Sequence, residues 1–229
     1  MRGKPFVVAC IPAYNEEKAI SEVCSRAKKY VDMIIVCDDG STDKTREIID
    51  KLGVTVKRHP KRLGKGAALK TLFDVAKDLN ADIIVTLDAD GAHFPEEVTY
   101  LLKPILKSNP GADVVIGSRF ANHTRGNVST LNYAGNRFFN ILTYLLTGRR
   151  LTDTQSGFRA FKRKFLNDII IHSNGYEAES EITIKAIRYG YKIVEVPIKC
   201  GKNYRASKLH SFRDGLRIFV TIIKTFLLD

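Results

Sequence analysis

Five short apolar runs mark the first half of the chain: Phe6–Ile11, Met33–Cys37, Val54–Lys57, Asp82–Leu87 and Val114–Gly117. The longer ones lack the inside–outside alternation of a half-exposed strand, so they must be covered on both faces. Helical patterns separate them: Glu16–Tyr30, Asp43–Leu52 with Ser41 or Thr42 as its cap, Lys65–Leu79, and Pro95–Leu106 with proline in its first turn. Buried strands alternating with helices imply an α/β class with a mainly parallel sheet and helices on both faces. Such sheets bind ligands beyond the carboxyl ends of their strands. The unusual polar clusters of this half fall there: Asn15-Glu16, Asp38-Asp39, Asp88 and Asp90, and Ser118-Arg119.

After Arg119 the rhythm changes. A polar loop (Ala121–Ser129) leads to a helix over Tyr133–Leu146. A polar turn, Asp153–Arg159, precedes a helix over Ala178–Tyr189, a strand over Tyr191–Val196 and a basic loop over Lys202–Lys208. Phe212–Leu228 is amphipathic. One stripe holds Phe212, Leu216, Phe219, Ile223 and Phe226, and another holds Arg213, Arg217 and Lys224. That apolar stripe has two readings: packing on the core, or meeting lipid while the cations meet anionic headgroups.

Charge divides the chain at the same place. The net is +12 over 229 residues, yet residues 1–117 hold 18 Lys and Arg against 17 Asp and Glu, and residues 118–229 hold 19 against 8. A basic second half suggests an anionic partner: nucleic acid, a membrane surface or a phosphorylated substrate. The length suits one domain, with 1–117 and 118–210 as its halves and 211–229 as an appended helix. The four cysteines form no C-x-x-C pair, which argues against a zinc or redox motif and for a reducing compartment. The N-terminus lacks a signal-peptide pattern, and no run approaches the ~18 apolar residues of a membrane span. The expectation is a cytoplasmic protein able to lie on a membrane.

The strongest local signal is Leu87-Asp88-Ala89-Asp90-Gly91. In a turn after a strand, both carboxylates can point outward and grip one hard cation. Mg²⁺ and Mn²⁺ favour oxygen ligands, and Mg²⁺ commonly takes one or two carboxylates plus substrate phosphates. Read together, Pro12-Ala13-Tyr14-Asn15-Glu16, Asp38-Asp39-Gly40-Ser41-Thr42-Asp43, Gly64-Lys65-Gly66 and Asp88-Ala89-Asp90 resemble, in order and spacing, the family 2 inverting glycosyltransferases of GT-A fold. Gly117-Ser118-Arg119, Asp153-Thr154-Gln155-Ser156-Gly157-Phe158-Arg159 and Ser207-Lys208-Leu209 resemble the dolichyl-phosphate mannose synthase and polyprenyl-phosphate glycosyltransferase branch. The likeness runs from about residue 6 to about residue 209.

The resemblance implies a Rossmann-like GT-A domain that carries a sugar from a nucleotide donor, GDP-mannose or a UDP-sugar, to a polyprenyl or dolichyl phosphate. Pro12, Tyr14, Asn15, Glu16, Asp38, Asp39, Lys65, Asp88 and Ala89 would bind the nucleotide, with Asp88 and Asp90 holding Mg²⁺ or Mn²⁺. Asp90, Arg119 and Asp153 are the catalytic candidates. Asp153 either orients an arginine or the sugar, or acts as a base toward a neutral hydroxyl. Ser118, Arg119, Arg137, Gln155, Ser156, Arg159, Arg205 and Lys208 would meet the acceptor phosphate, with Arg125 as a further contact. Glu179 would pair with an arginine or favour a helix start. The family's glutamine after the acidic pair is replaced here by Ala92; His93 could coordinate or orient a ligand but matches a family histidine not chiefly known as one, so the third position is left to it or to water.

Rival readings are weaker. Asp-x-Asp-Gly after an apolar strand imitates a haloacid-dehalogenase-like phosphatase, but three strands precede it here. A nucleic-acid binder rests on charge alone, with no reading motif. A dinucleotide-binding oxidoreductase lacks its G-x-G-x-x-G. A polysaccharide or protein acceptor is the alternative within the family. The resemblance, read with the basic second half, implies a peripheral enzyme at the cytoplasmic membrane face and no nucleic acid.

Overall fold

A computed structural model describes residues 3–107, 111–121, 128–199, 201 and 212–228. Seven strands make one sheet: β1 (Val7–Ala13), β2 (Met33–Asp38), β3 (Thr55–Arg58), β4 (Ile83–Thr86), β5 (Val114–Ser118), β6 (Arg159–Lys162) and β7 (Ile193–Pro197). Their order is β3-β2-β1-β4-β6-β5-β7, and every pairing is parallel except those of β6 with β4 and β5. The mainly parallel α/β sheet expected from the sequence is present.

Its strands are apolar throughout because both faces are covered. Val7, Ala9 and Ile11 face a layer with α1 (Ile20–Ala27) and α4 (Val98–Leu106). Val8 and Cys10 face α3 (Lys65–Asp78), through Leu69, Leu72 and Phe73, and α7 (Ala178–Arg188), through Ile182. Cys10, Cys24 and Cys37 are buried free thiols within these layers.

Several boundaries differ from the sequence reading for local reasons. The helix expected from Glu16 begins at Ile20, because the preceding turn is tied across the sheet edge. Glu16 N donates to Thr45 Oγ1 at 2.7 Å and Glu17 N to Asp43 Oδ2 at 3.3 Å. Neither Ser41 nor Thr42 caps α2 (Thr45–Lys51). Asp43 Oδ1 accepts the Thr45 N–H, while Ser41 Oγ accepts Asn15 N and Thr42 N donates to Asn15 Oδ1. β6 and the short α6 (Arg163–Asp168) follow the expected polar turn, in a stretch for which the sequence reading gives no element.

A third apolar cluster joins α5 (Thr130–Thr147), α7 and α8 (Phe212–Leu228) through Phe139, Ile184, Ile218 and Ile222. The stripe of α8 that packs is therefore Ile218, Ile222 and Thr225, offset from the expected one; Leu216 and Phe219 are exposed. Ile222→Ala should leave a cavity under α8 and lower the unfolding free energy by ~2–5 kcal/mol in urea titrations. No change would show that α8 is not seated on the domain.

Candidate active site

The carboxyl ends of β1, β2, β4 and β5 meet at one edge of the sheet, with Ala13 in register with Asp38. β6 runs the other way, so its first residue lies at that edge: Arg159 pairs with Thr86 of β4 and Ile116 of β5. The loop before β6, residues 153–158, is thus carried over the ends of the parallel strands. Thr86 Oγ1 fastens it by donating to Gly157 O at 2.7 Å. Beyond this edge lies a cavity of about 1550 Å³.

Asp88 and Lys65 meet on one wall. Lys65 Nζ lies 2.6 Å from Asp88 Oδ1 and 2.7 Å from Glu179 Oε1, joining the end of β4, the first turn of α3 and α7. Burial would raise the Asp88 pKa, but Lys65, with His93 and Arg119 adding to it, holds it at about 2. Burial opposes the Lys65 charge, yet the two carboxylates keep its pKa raised. Asp90 behaves oppositely: burial first, and then the Asp88 charge, push its carboxyl up, against one hydrogen bond from Ala92 N at 2.9 Å. His93 is buried and stacked on Phe158 with ring centroids 5.1 Å apart. Burial lowers its pKa, and its Nδ1, 3.8 Å from Asp88 Oδ2, has no hydrogen-bond partner.

Two glycines shape this wall. A Cβ on Gly157 would sit 2.7 Å from Lys65 Nζ and 2.8 Å from Asp88 Oδ2, so a side chain there would displace the ends of the pair. Gly64 has φ +107°, and a Cβ there would meet Asn174 O at 2.3 Å.

Of the residues expected at the nucleotide, Pro12, Tyr14, Glu16, Asp39 and Ala89 line the cavity with Lys65 and Asp88. Asp39 is also a brace. Its Oδ1 accepts Leu63 N at 2.9 Å and the His59 Nδ1 proton at 2.7 Å, and its Oδ2 accepts Gly64 N at 2.8 Å. Asp38 and Asn15 do not line the cavity. Asp38 Oδ1 accepts Ser41 N, and Asn15, at φ +53°, is bound to Ser41 and Thr42. Both shape the β1–β2 edge rather than presenting an open side chain.

On the acceptor side, Arg119 and Asp153 form a buried ion pair. Asp153 Oδ2 accepts Arg119 N at 3.0 Å and Nε at 2.7 Å; Oδ1 accepts Arg119 Nη2 at 2.7 Å and Asn136 Nδ2 at 2.5 Å. Burial would raise the Asp153 pKa, but the Arg119 charge and these donors hold it below the usual carboxylate range. Four donors occupy its two oxygens, so Asp153 holds Arg119 and Asn136 in place and presents no open oxygen to the cavity. Arg119 lines the cavity, as does Gln155, whose Nε2 donates to Ser180 Oγ at 2.8 Å.

The other acceptor candidates separate. Arg159 is 1% exposed and turned inward. Its guanidinium donates to Ser156 O, Thr154 O, Glu179 O and Thr183 Oγ1, so the expectation that it meets a phosphate does not fit. Ser156 is buried with its Oγ accepting Phe158 N, and Ser118 Oγ shares a hydrogen bond with Thr152 Oγ1. Arg137 is exposed on α5 and does not line the cavity. Arg205, Lys208 and Arg125 lie outside the described residues.

Sequence reasoning missed Arg62, whose guanidinium lies 4.5 Å from the centre of the Tyr14 ring in the cavity wall. It also missed Asn174 and Tyr176, delivered by the loop before α7. Burial raises the Tyr176 pKa. None belongs to a motif; only a pairing of strand order with loop length could have brought them here.

Residues 8–170 match the family described as Glycosyl transferase family 2. Over 240 residues the chain is 34% identical to the UDP-N-acetylglucosamine–dolichyl-phosphate N-acetylglucosaminyltransferase of Methanococcus voltae, spanning 95% of each. Over 220 residues it is 37% identical to a dolichyl-phosphate hexose transferase of Haloferax volcanii, spanning 93% of this chain and 91% of the other. It shares its fold with the glucosyl-3-phosphoglycerate synthase of Mycobacterium tuberculosis, solved with Mn²⁺, uridine diphosphate and phosphoglyceric acid. The TM-score is 0.75 at 22% identity, covering 98% of this chain and 80% of that one. The GT-A arrangement expected from the motifs is therefore the observed one.

Asp153→Asn should leave the Arg119 charge without its counter-charge and cost ~3–5 kcal/mol of stability. The folded pKa of Asp153 lies below the unfolded value of ~3.9. The difference between wild type and variant should thus be whole above that value and vanish as pH falls through the lower folded one. Urea unfolding at a series of pH values measures it; a difference that grows with acid would contradict the pairing.

Proposed function

The chain belongs to glycosyl transferase family 2, and from that premise we propose that it moves a hexose or N-acetylhexosamine from a nucleoside-diphosphate sugar to a polyprenyl or dolichyl phosphate. The family is a family of enzymes, which removes the phosphatase, oxidoreductase and non-enzymatic readings. The observation that carries the proposal is the placement of two opposed chemistries in one cavity. Asp88 and Asp90 stand at the end of β4, and Arg119, clamped by Asp153, stands at the end of β5.

The acidic pair fits a divalent cation. Burial and then the Asp88 charge push the Asp90 carboxyl up, and a bound Mg²⁺ or Mn²⁺ would relieve the repulsion between the two. Among the described residues no three His, Cys, Asp or Glu side chains are arranged to hold a metal ion by themselves. The set is the one expected where diphosphate oxygens and water complete the shell. When bound, such a cation offsets the charge of the departing nucleoside diphosphate.

This chain's own residues account for the rest. Lys65 stands beside Asp88, where a donor phosphate would find an ammonium. Arg62 and Tyr14 offer a flat cationic–aromatic wall for a base. A phosphate monoester has its second pKa near ~6, so it arrives as an ionised nucleophile. One of its oxygens forms the new bond to the anomeric carbon while the bond to the nucleoside diphosphate breaks on the opposite face. No proton need be removed, which agrees with an Asp153 fully engaged with Arg119. Arg119 positions the attacking phosphate with its planar fork.

The basic second half suits an anionic lipid head, and the dolichyl-phosphate substrates named for the two relatives point the same way. Among the described residues no helix is long and apolar enough to cross a membrane. The proposed location is peripheral, at the cytoplasmic face, with the exposed apolar residues of α8 toward lipid.

Labelled GDP-mannose, UDP-glucose and UDP-N-acetylglucosamine, each with a short polyprenyl phosphate and Mn²⁺ or Mg²⁺, should yield a lipid-linked product from at least one donor. No product from any would redirect the acceptor to a polysaccharide or protein. Asp90→Ala should lower transfer by at least about 10²-fold with an unchanged circular dichroism spectrum. Full activity in that variant would refute the assignment of the acidic pair.

A further inference from the structure

α8 has three faces. Ile218, Ile222 and Thr225 are buried against the domain, and Leu216, Val220 and Leu227 are exposed on the outside. The third face, Arg217, Thr221 and Lys224 at spacings of four and three, lines the cavity that holds Asp88 and Arg119. The expected basic stripe therefore splits. Arg213 is exposed and does not line the cavity, whereas Arg217 and Lys224 do. These two cations are separated by two helical turns, about 10.5 Å along the axis. Among the described residues neither is paired with a carboxylate, although Asp214 lines the same cavity one turn before Arg217.

α5 contributes a different wall to this part of the cavity, with Leu131 and Phe139. Outside the cavity α5 continues as exposed Phe138, Ile141 and Leu145, and Phe138 stacks on Phe219 of α8 with ring centroids 6.3 Å apart. A cationic wall and an apolar wall bound one cavity, and both helices present hydrocarbon outside it. That combination suits an amphiphile with a doubly charged head and an apolar tail.

Resting on the proposed transfer to a lipid phosphate, we infer that Arg217 and Lys224 bind the phosphate of the prenyl acceptor at the mouth of the cavity and position it toward Arg119. Its hydrocarbon follows the α5–α8 surface. The same two cations would, in the other arrangement, bind phospholipid headgroups from outside; their place in the cavity wall favours the acceptor.

The test is a double variant, Arg217→Gln with Lys224→Gln, beside Arg213→Gln as the control for general charge. Both are read with farnesyl phosphate as a soluble acceptor and by co-sedimentation with phosphatidylglycerol vesicles. The double variant should raise the KM for farnesyl phosphate by about tenfold or more. Its kcat and nucleotide-sugar KM should stay within roughly twofold of wild type, and vesicle binding should be unchanged. Arg213→Gln should leave the acceptor KM unaltered. An unchanged acceptor KM in the double variant, or an equal rise in Arg213→Gln, would overturn the inference. Lost vesicle binding with an unchanged KM would assign the cations to headgroups instead. If wild type neither binds nor uses farnesyl phosphate, the proposed function falls and this inference with it. A working wild type with an indifferent double variant defeats the inference alone.

Discussion

Asp153 is a carboxylate with no exposed surface, and an unpaired charge there would cost several kcal/mol. Meeting that demand organises the acceptor wall. Arg119 comes from the end of β5, Asn136 comes from α5, and both converge on its two oxygens. Glu195 of β7 holds the same loop from behind by accepting Thr152 N and Asp153 N. Burial raises the Glu195 pKa, and these backbone donors act against it. Four separate elements are thereby fixed around one guanidinium. The orientation of that guanidinium is thus set by the fold before any ligand arrives.

A second, partly buried contact links this wall to the end of β4. Lys65 reaches both Asp88 and Glu179, so α3, β4 and α7 share one ammonium. The lysine stands beside the acidic pair, and the absence of a side chain at Gly157 leaves it room to do so. The reversed direction of β6 lets both walls exist together. An additional parallel strand would have started its preceding loop at the opposite edge; the antiparallel strand delivers residues 153–158 to the carboxyl ends of its neighbours.

Much of this was legible in the sequence. Unalternating apolar runs announced the parallel strands, and Asp88-Ala89-Asp90 marked the end of β4. β6 was hidden because it is four residues long and opens on Arg159, a residue type rarely buried. The same arginine was misassigned to a phosphate because a motif match cannot tell a guanidinium that faces a ligand from one that ties backbone carbonyls. Asp38 and Asp39 read alike in sequence, yet successive residues leaving a strand point apart, and only Asp39 reaches the cavity. For α8 the helical period was right and the buried stripe was offset. The helix is apolar on two sides, so sequence alone could not choose which side meets the domain.

The central claim is that the acidic pair and the acceptor phosphate face each other in one cavity. Phosphorus relaxation of farnesyl phosphate bound to the protein with Mn²⁺ and a nucleoside diphosphate tests it most directly, because the paramagnetic effect of Mn²⁺ falls steeply with distance. The account predicts strong enhancement of the acceptor phosphorus signal, lost in Asp90→Ala, where Mn²⁺ is no longer held. Bound farnesyl phosphate without enhancement would place the acceptor away from Asp88 and Asp90 and contradict the account.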